Sequence, residues 1–367
     1  MNALDQAKSL FEQGVVQFES GQLQAACDCF EKALALAPGR PSVLLNLGIT
    51  LMQLGRWQEA VPPLQQSLAS QAGQLDGWIS LGMALNRLGD LDAALKAYEK
   101  VTALAPERAL GWGESGGLLR EMGRLDEAIG HYERALAIEP DHALYRYYLS
   151  ALRGVDAPAQ PPQQYVQSLF DQYADDFEPH LVGQLQYRGH SHLIEHLPTQ
   201  APKHFPRVLD LGCGTGLCGP LIRPRAGALW GIDLAGGMIE QSHRLGVYDH
   251  LEQADAAAFL AGCDTTWDLV LAADVFIYVG ALDELFAQLA RRMPPGGWLA
   301  FTAEVTEPGL SSDRPHLRPS LRYAHPLPYL EDVARAHGFL WRGHHDAPLR
   351  LDQGRPLPAL YAYLQRA

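Results

Sequence analysis

Small and hydrophobic residues in the first part of the chain recur with a period of 34 residues. The small positions are glycines at 14, 48, 82 and 116 and alanines at 26, 60, 94 and 128. A large side chain and then a helix-ending position keep the same spacing at Phe30, Leu64, Tyr98 and Tyr132 and at Pro38, Ala72, Pro106 and Pro140. Small residues let two helices approach closely, and proline ends the second helix. The pattern predicts four helical hairpins over about residues 7–140, with a capping helix at 141–153.

A different pattern governs the second part of the chain. Val208–Leu211 is a short apolar strand that carries Asp210 near its end, and Gly212, Gly214 and Gly216 follow at alternate positions. Glycine permits positive φ and lets a ligand approach the backbone. A strand, a glycine turn and a helix start together predict a nucleotide-type site at the carboxyl edge of a parallel sheet.

Two classes of cofactor fit this glycine turn. Gly214, Gly216 and Gly219 also satisfy the dinucleotide spacing, which is a weak signal by itself. A dinucleotide site needs the helix N-terminus free for a pyrophosphate, and Asp210 would repel that anion. The same acid suits a ligand that carries a cationic amine and a sulfonium. The charge pattern therefore favours S-adenosylmethionine over a dinucleotide, and a turn without a ligand is the third alternative.

Further acids follow the next two strands. Asp233 ends the run Ala228–Ile232 and lies 233 − 212 = 21 residues after Gly212, where a carboxylate can accept hydrogen bonds from ribose hydroxyls. Asp255 follows in the same register and can accept from an adenine amino group. The remaining predicted cofactor contacts near these acids are Cys213, Leu234, Met238 and Ala256.

These residues resemble the motifs of the class I S-adenosylmethionine-dependent methyltransferases. Asp210-Leu-Gly-Cys-Gly-Thr-Gly216 matches the first motif of that family, Gly231-Ile-Asp233 the second, and Trp267-Asp-Leu-Val-Leu-Ala-Ala-Asp274 the fourth. The resemblance covers residues 164–367. It implies a seven-strand Rossmann-like sheet of order 3-2-1-4-5-7-6, whose last two strands lie near 340–351 and 358–364. It also implies S-adenosylmethionine as methyl donor, S-adenosylhomocysteine as product, and Ala273 as a further cofactor contact.

The helical repeats resemble tetratricopeptide repeats. Trp78-x-x-Leu81-Gly82-x-x-Leu85 matches that pattern closely, whereas Pro62-Pro63 departs from it and predicts an irregular start to the second helix of repeat two. Such arrays bind peptides or partner proteins along the concave face of their first helices. We expect an α-solenoid at residues 1–153, a semi-rigid proline-rich linker at 154–163, and the methyltransferase domain at 164–367.

Two more segments are candidates for the walls of the active site. Residues 165–177 resemble the N-terminal helix of methyltransferases of the ubiquinone and biotin pathways, which implies that Phe170 and Phe177 fold over the cofactor. A helix that only packs on the sheet is the alternative. The candidate catalytic residues are Asp274 and Tyr278 after the fourth strand and His325 in a later loop. Tyr278 or His325 would assist proton removal where the acceptor carries a proton.

Composition limits the class of protein and its partners. The formal net charge is −13 and no basic run is present, so a nucleic-acid partner is not expected. No apolar run reaches the ~18 residues that span a bilayer, and the first residues lack a signal pattern. The 5 cysteines fit a reducing cytoplasm. His192 and His196 stand four apart, but apart from Glu195 no Cys or acid with ligand spacing lies nearby, so no metal is expected.

The sequence thus predicts a cytoplasmic methyltransferase whose helical array recruits a protein or peptide, which is itself a candidate acceptor. Two alternatives remain open. The enzyme methylates a small molecule while the array serves only oligomerisation, or the chain is a non-catalytic interaction protein with this fold. The sequence leaves the acceptor and the oligomeric state undetermined.

Overall fold

A computed structural model of the chain describes residues 2–155, 157–173, 179–306, 309–311, 313–352 and 354–367. The chain divides into two compact units, Met1–Leu149 and Ser150–Ala367. Among the described residues, none of the helices combines the length and the apolar character needed to traverse a bilayer.

The first unit is built from antiparallel helix pairs, as predicted. Each helix packs mainly on its neighbours in the chain, and the first helices of the first three pairs also contact one another in succession. The helices are α1 Ala3–Glu19, α2 Leu23–Leu36, α3 Pro41–Gln53, α4 Trp57–Ser70, α5 Leu75–Arg87, α6 Leu91–Leu104, α7 Ala109–Glu121, α8 Leu125–Ile138 and α9 Ala143–Arg153, whose last turn belongs to the second unit.

The 34-residue period reflects one packing contact that is repeated in every pair. A Cβ added at Gly48 would lie 2.5 Å from Cγ of Leu64, and one added at Gly82 would lie 2.9 Å from the ring of Tyr98. The two equivalent glycines face Phe30 and Tyr132 in the same way. The alanines of the series are fully buried. The small residue is therefore fixed by the large side chain that the partner helix places against it.

The prolines of repeat two do not interrupt their helix. Helix α4 is continuous through Pro62 and Pro63, so the predicted irregularity is not observed. The two prolines leave the carbonyls of Gln58 and Glu59 without their helical donors, and Glu59 lies on the exposed side of α4.

We expect Gly48→Ala and Gly130→Ala to change stability in opposite directions. The first places a methyl group against buried Leu64 and should lower the free energy of unfolding by about 1–3 kcal/mol. The second adds a methyl group in helix α8, where no atom lies within 4 Å, and should raise it by up to about 1 kcal/mol. Denaturant unfolding followed by helical circular dichroism measures both. Equal effects of the two substitutions would contradict the packing account.

The second unit contains a mixed sheet with helices on both faces. Its strands are β1 Phe205–Leu211, β2 Ala226–Asp233, β3 His250–Gln253, β4 Leu269–Ala272, β5 Trp298–Glu304, β6 His316–Leu317, β7 Tyr323–Ala324, β8 Phe339–Asp352 and β9 Arg355–Arg366. Strands β3, β2, β1, β4 and β5 are adjacent and parallel, β9 pairs antiparallel with β5, and β8 pairs with β9. The predicted order 3-2-1-4-5-7-6 is confirmed, with β8 and β9 as its last two strands.

The helices of this unit are α10 Gln163–Tyr173, α11 Gly189–Glu195, α12 Gly219–Ile222, α13 Gly236–Arg244, α14 Ala256–Gly262, α15 Asp283–Arg292 and α16 Leu327–Ala336. Alternate residues of each central strand enter the two apolar layers. Val270 of β4 packs with Phe286 of α15 on one face, and Leu271 packs with Leu193 of α11 on the other.

Two short strands extend the sheet at its carboxyl edge. Strand β9 pairs with every residue of β5, whereas β4 pairs with the other side of β5 only as far as Phe301. Strand β7 then pairs with β5 at Glu304. Since one side of β5 is taken by β9, β7 lies on the side of β4, beyond the point where β4 ends. The segment 316–325 is thereby held beside the residues that follow β4.

Candidate active site

The glycine turn after β1 is held in positive φ at three positions. The φ angles of Gly212, Gly214 and Gly216 are 66°, 55° and 91°. A Cβ at Gly212 would lie 2.6 Å from Val275, and one at Gly216 would lie 2.7 Å from Leu245, whereas one at Gly214 would meet no atom within 4 Å. The outer glycines are therefore required by packing. The middle glycine faces open space, as expected where a ligand approaches the backbone.

Asp210 is buried at the end of β1 and has a partner within the protein. The hydroxyl of Tyr248 donates to its Oδ2 at 2.6 Å. Burial raises the pKa of Asp210 to about 7, the Tyr248 hydrogen bond opposes that rise, and nearby Asp233 adds to it. The sequence did not reveal Tyr248, which is 38 residues away.

Asp233 ties the end of β2 to the glycine turn. Its Oδ2 accepts from the backbone N–H of Gly214 at 2.9 Å, and its Oδ1 accepts from that of Ala235 at 2.9 Å. Burial raises the pKa of Asp233, although the hydrogen bonds from Ala235, Gly214 and Leu234 oppose the rise. Three N–H donors use three of the roughly four lone-pair positions of the carboxylate, so one stays available to a hydroxyl.

Cys213 and Thr215, the two residues between the glycines of the turn, differ in their hydrogen bonding. Cys213 is buried, its backbone N–H donates to the carbonyl of Ile232 at 2.8 Å, and burial raises the pKa of its thiol. The hydroxyl of Thr215 is buried, and no hydrogen-bond partner lies near it within the described residues. A buried hydroxyl of this kind favours a site that a polar ligand completes.

Helix α10 crosses from the β2 side of the site to the β4 side. Phe170 packs on Ala235 and Met238, and its ring lies edge-on to that of Tyr278 with the centroids 5.2 Å apart. Asp171 fixes this position because its Oδ1 accepts from the backbone N–H of Gly237 at 3.1 Å. Phe177 lies outside the described residues.

Asp255 and Ala256 begin helix α14. Oδ1 of Asp255 accepts from the backbone N–H of Ala258 at 2.9 Å, so this acid caps the helix. Its second oxygen takes no part in this cap. Ala256 is half-buried beside the apolar layer.

Asp274 begins a second set of charged residues beyond β4, after half-buried Ala273. Its φ is 63°, which is uncommon for a residue with a side chain, and its backbone N–H donates to Oγ1 of Thr302 at 2.7 Å. Nη1 of Arg350 donates to its Oδ2 at 2.9 Å. The carboxylate of Asp274 is thus ion-paired with Arg350.

Arg350 is buried and links two acids. Its Nη2 donates to Oε1 of Glu304 at 2.7 Å, and Arg318 donates to the other oxygen of Glu304 at 2.9 Å. The sequence analysis missed Arg350, Glu304 and Arg318. A charged residue within the apolar run Pro348-Leu-Arg-Leu351 was the signal that could have found the first of them.

Arg322 adds a third guanidinium group near Asp274 and Glu304. It is half-buried, and Tyr278, Asp274 and Glu304 are its polar and charged neighbours. Burial lowers its pKa, but Tyr278, Asp274 and Glu304 outweigh burial, so the pKa is raised and the cation is permanent. Tyr278 thereby joins Arg322 to Phe170.

His325 lies in the core, whereas the sequence analysis placed it in a loop as a candidate catalytic residue. Its side chain is fully buried, and Nε2 lies 2.9 Å from the carbonyl of Val279 and 3.1 Å from that of Gly280. Because carbonyls only accept, Nε2 carries the proton. Burial lowers the pKa of His325 to about 4. The imidazole therefore holds the turn that follows Tyr278 and has no free base directed at an acceptor through Nε2.

The linker is also attached to this region. The hydroxyl of Tyr323 donates to the carbonyl of Pro158 at 2.7 Å, and the backbone N–H of Ala281 donates to that of Ala159 at 2.8 Å. The backbone of residues 158–159 therefore contacts two segments: the one that contains Tyr323 and His325, and the turn at Gly280 and Ala281 that His325 holds.

Comparison with known proteins gives these features a family. A methyltransferase-domain model matches residues 181–344, and tetratricopeptide models match residues 7–40 and, in overlapping segments, 45–152. A malonyl-[acyl-carrier protein] O-methyltransferase of Enterobacter lignolyticus is 31% identical over 192 residues, which cover 52% of this chain and 69% of the relative. The chain belongs to the class I methyltransferases.

Other matches are shorter or more distant. A trans-aconitate 2-methyltransferase of Pseudomonas aeruginosa is 30% identical over 118 residues, 32% of this chain and 41% of that protein. The crystal structure of magnesium protoporphyrin IX methyltransferase from Synechocystis PCC 6803 with bound SAH is similar with a TM-score of 0.44 and 15% identity. It covers 56% of this methyltransferase and 99% of that chain.

The family implies S-adenosylmethionine as donor, and the glycine turn of this methyltransferase fits such a ligand. The open space over Gly214, the buried hydroxyl of Thr215 and the carboxylate of Asp233 lie on one short stretch of backbone. Phe170 and Met238 supply an apolar wall beside it.

We expect Gly214→Ala to weaken binding of S-adenosylhomocysteine while Gly246→Ala does not. Both glycines have positive φ, 55° and 64°, and neither has an atom within 4 Å of an added Cβ. Both variants should therefore lose about 1 kcal/mol of stability. Only the first methyl group would occupy the ligand space, which should lower affinity roughly 10- to 100-fold. Titration calorimetry measures this, and equal affinities in the two variants would refute the placement of the ligand over Gly214.

Proposed function

We propose that this methyltransferase forms the methyl ester of a carboxylate acceptor, and that its tetratricopeptide array recruits the protein or peptide that carries the acceptor. The residues predicted for cofactor contact would hold S-adenosylmethionine beneath Phe170. When bound, that cofactor supplies a methyl group already activated by the sulfonium. The contribution of the protein is then to position the acceptor and to exclude water.

The observation that carries the acceptor class is the charge beyond β4. Among the described residues of this cluster, three guanidinium groups of Arg318, Arg322 and Arg350 accompany two carboxylates of Asp274 and Glu304. Both carboxylates are engaged by Arg318 and Arg350. Arg322 forms no ion pair with either of them within the described residues and lies beside the hydroxyl of Tyr278. An incoming carboxylate would balance this charge and accept the remaining guanidinium protons.

The position of Tyr278 supports an acceptor beside the donor. Its ring contacts Phe170, and Phe170 contacts Met238 and Ala235 on the donor side. Arg322 is thus separated from the donor site by one aromatic pair. Helix α10 covers both sides, which would exclude water from the transfer.

A carboxylate also suits the state of His325. A carboxyl group is ionised at pH 7 and needs no general base before it attacks a methyl group. His325, with a pKa lowered to about 4 by burial and with its Nε2 proton donated to carbonyls, is a positioning residue in this proposal. An alcohol or ammonium acceptor would instead need a base.

The named relatives support the same class. One acts on malonyl-[acyl-carrier protein] and another on trans-aconitate. Both acceptors carry carboxylates, and the first is presented on a protein. The array offers this methyltransferase a means of binding such a carrier, since Ile49 and Ile79 are half-buried and Met83 is 48% exposed on its first helices.

We expect Arg322→Gln to weaken acceptor use without weakening donor binding. Loss of a charge-assisted hydrogen bond should raise KM for the acceptor roughly 10- to 100-fold, and Arg322→Lys should recover part of it. The assay follows transfer from methyl-labelled S-adenosylmethionine into cell extract, with release of the label as methanol by mild base. Arg335→Gln, an exposed arginine on α16, is the control.

Three outcomes would count against the proposal. A base-stable label would exclude an ester. Equal KM values for the acceptor in Arg322→Gln and Arg335→Gln would show that Arg322 does not bind the acceptor carboxylate. Failure of the intact chain to bind S-adenosylhomocysteine would favour a non-catalytic interaction protein.

Two substitutions that each introduce a charge on the surface of the array test its role in recruitment. Met83 and Leu104 are exposed to 48% and 46% and lie on the first and second helices of the same hairpin. Met83→Glu should raise KM for the macromolecular acceptor about 10-fold and leave kcat unchanged, whereas Leu104→Glu should change neither. Light scattering reports the alternative: loss of an oligomer in Met83→Glu with unchanged KM would assign the array to self-association.

A further inference from the structure

Three histidines that are distant in sequence converge on one face of the second unit. His192 lies on α11, His196 directly follows that helix, and His345 lies in β8. One ligand nitrogen of each lies within 4.8 Å of the corresponding atoms of the others. The ring centroids of His192 and His196 are 5.3 Å apart, and those of His196 and His345 are 4.7 Å apart.

The hydrogen bonding of these rings leaves donor atoms for a ligand. Nδ1 of His192 and Nε2 of His345 are buried without a hydrogen-bond partner in the described part of the chain. Nδ1 of His196 lies 3.0 Å from the carbonyl of His192. Because a carbonyl only accepts, that nitrogen carries the proton, and Nε2 of His196 presents its lone pair. Histidines that bind metals are commonly oriented by such a bond to a carbonyl.

We propose that His192, His196 and His345 form a binding site for a divalent late transition metal, with Zn²⁺ as the preferred ion. Neutral imidazole is a preferred donor for this class of ion, and three histidines with a water complete a tetrahedral zinc site. On such an ion the nitrogens lie about 3.3 Å apart, given Zn–N distances of about 2.0–2.1 Å. Small rotations of the rings close the difference, and His196 is exposed and free to make them.

The site would clip the helix before β1 to the C-terminal hairpin. The hydroxyl of Tyr363 already donates to the carbonyl of Leu193 at 3.2 Å, and the ring of His345 stacks on that of Tyr361. His345 precedes Arg350 by five residues on β8, roughly 15 Å along a strand. A metal here is therefore structural and lies away from the transfer site, but it would steady the strand that supplies Arg350.

The test measures Zn²⁺ binding to the full chain, prepared without a histidine tag and stripped with a chelator. Titration against a chromophoric chelator should give one ion per chain, and Co²⁺ should give the visible absorption of a tetrahedral site. His196→Ala, at an exposed position, and His345→Gln, which keeps most of the buried volume, should each weaken binding at least about 100-fold. His204→Ala, an exposed histidine outside the cluster, should bind as the parent chain does.

Thermal unfolding supplies a second measurement that is independent of activity. Saturating Zn²⁺ should raise Tm of the parent and of His204→Ala by about 5 °C or more, and should not raise Tm of His196→Ala. Without metal, His196→Ala should unfold at the same temperature as the parent. Absence of saturable binding in the parent, or equal affinity in His196→Ala, would overturn the proposal and leave three packed imidazoles.

Discussion

The buried guanidinium of Arg350 is the interaction on which the second unit depends most. It bridges Asp274 and Glu304 at 2.9 Å and 2.7 Å, and its side chain is 1% exposed. Removing one partner of such a pair leaves a buried charge without compensation, which costs about 3–5 kcal/mol. The bridge also holds Asp274 in a left-handed conformation that the backbone alone disfavours. This one side chain thus links three chain segments, the turn after β4, the end of β5 and strand β8, in addition to the pairing of β5 and β8 through β9.

The two sides of the site are connected through aromatic side chains. Asp233 and Gly214 form the donor side by short backbone hydrogen bonds, while Arg322 belongs to the charged side beyond β4. Phe170 and Tyr278 meet between them. The backbone of the linker is bonded to Tyr323 in the segment that carries Arg322. The linker is therefore bonded to the segment in which the proposed acceptor anchor lies.

Local features were predictable from the sequence, and long-range pairings were not. The glycine turn and the 34-residue repeats were predictable because short spacings along the chain encode them, alternate glycines after one apolar strand and a glycine with its large residue in one hairpin. Arg350 and Asp274 are 76 residues apart, and their contact depends on β9 lying between β5 and β8. His345 lies 345 − 192 = 153 residues after His192, so no local spacing connects the two. His325 was expected at the acceptor because it lies in the segment between the fifth strand and the next helix, but pairing of β7 with β5 carries it into the core.

The most direct test of the account is a crystal structure of the full chain with S-adenosylhomocysteine. The account predicts that the ligand lies over Gly214 and under Phe170, with its ribose hydroxyls within hydrogen-bond distance of Asp233 and its sulfur directed towards Tyr278 and Arg322. A ligand that leaves the space over Gly214 empty, or whose sulfur points away from Tyr278, would contradict it.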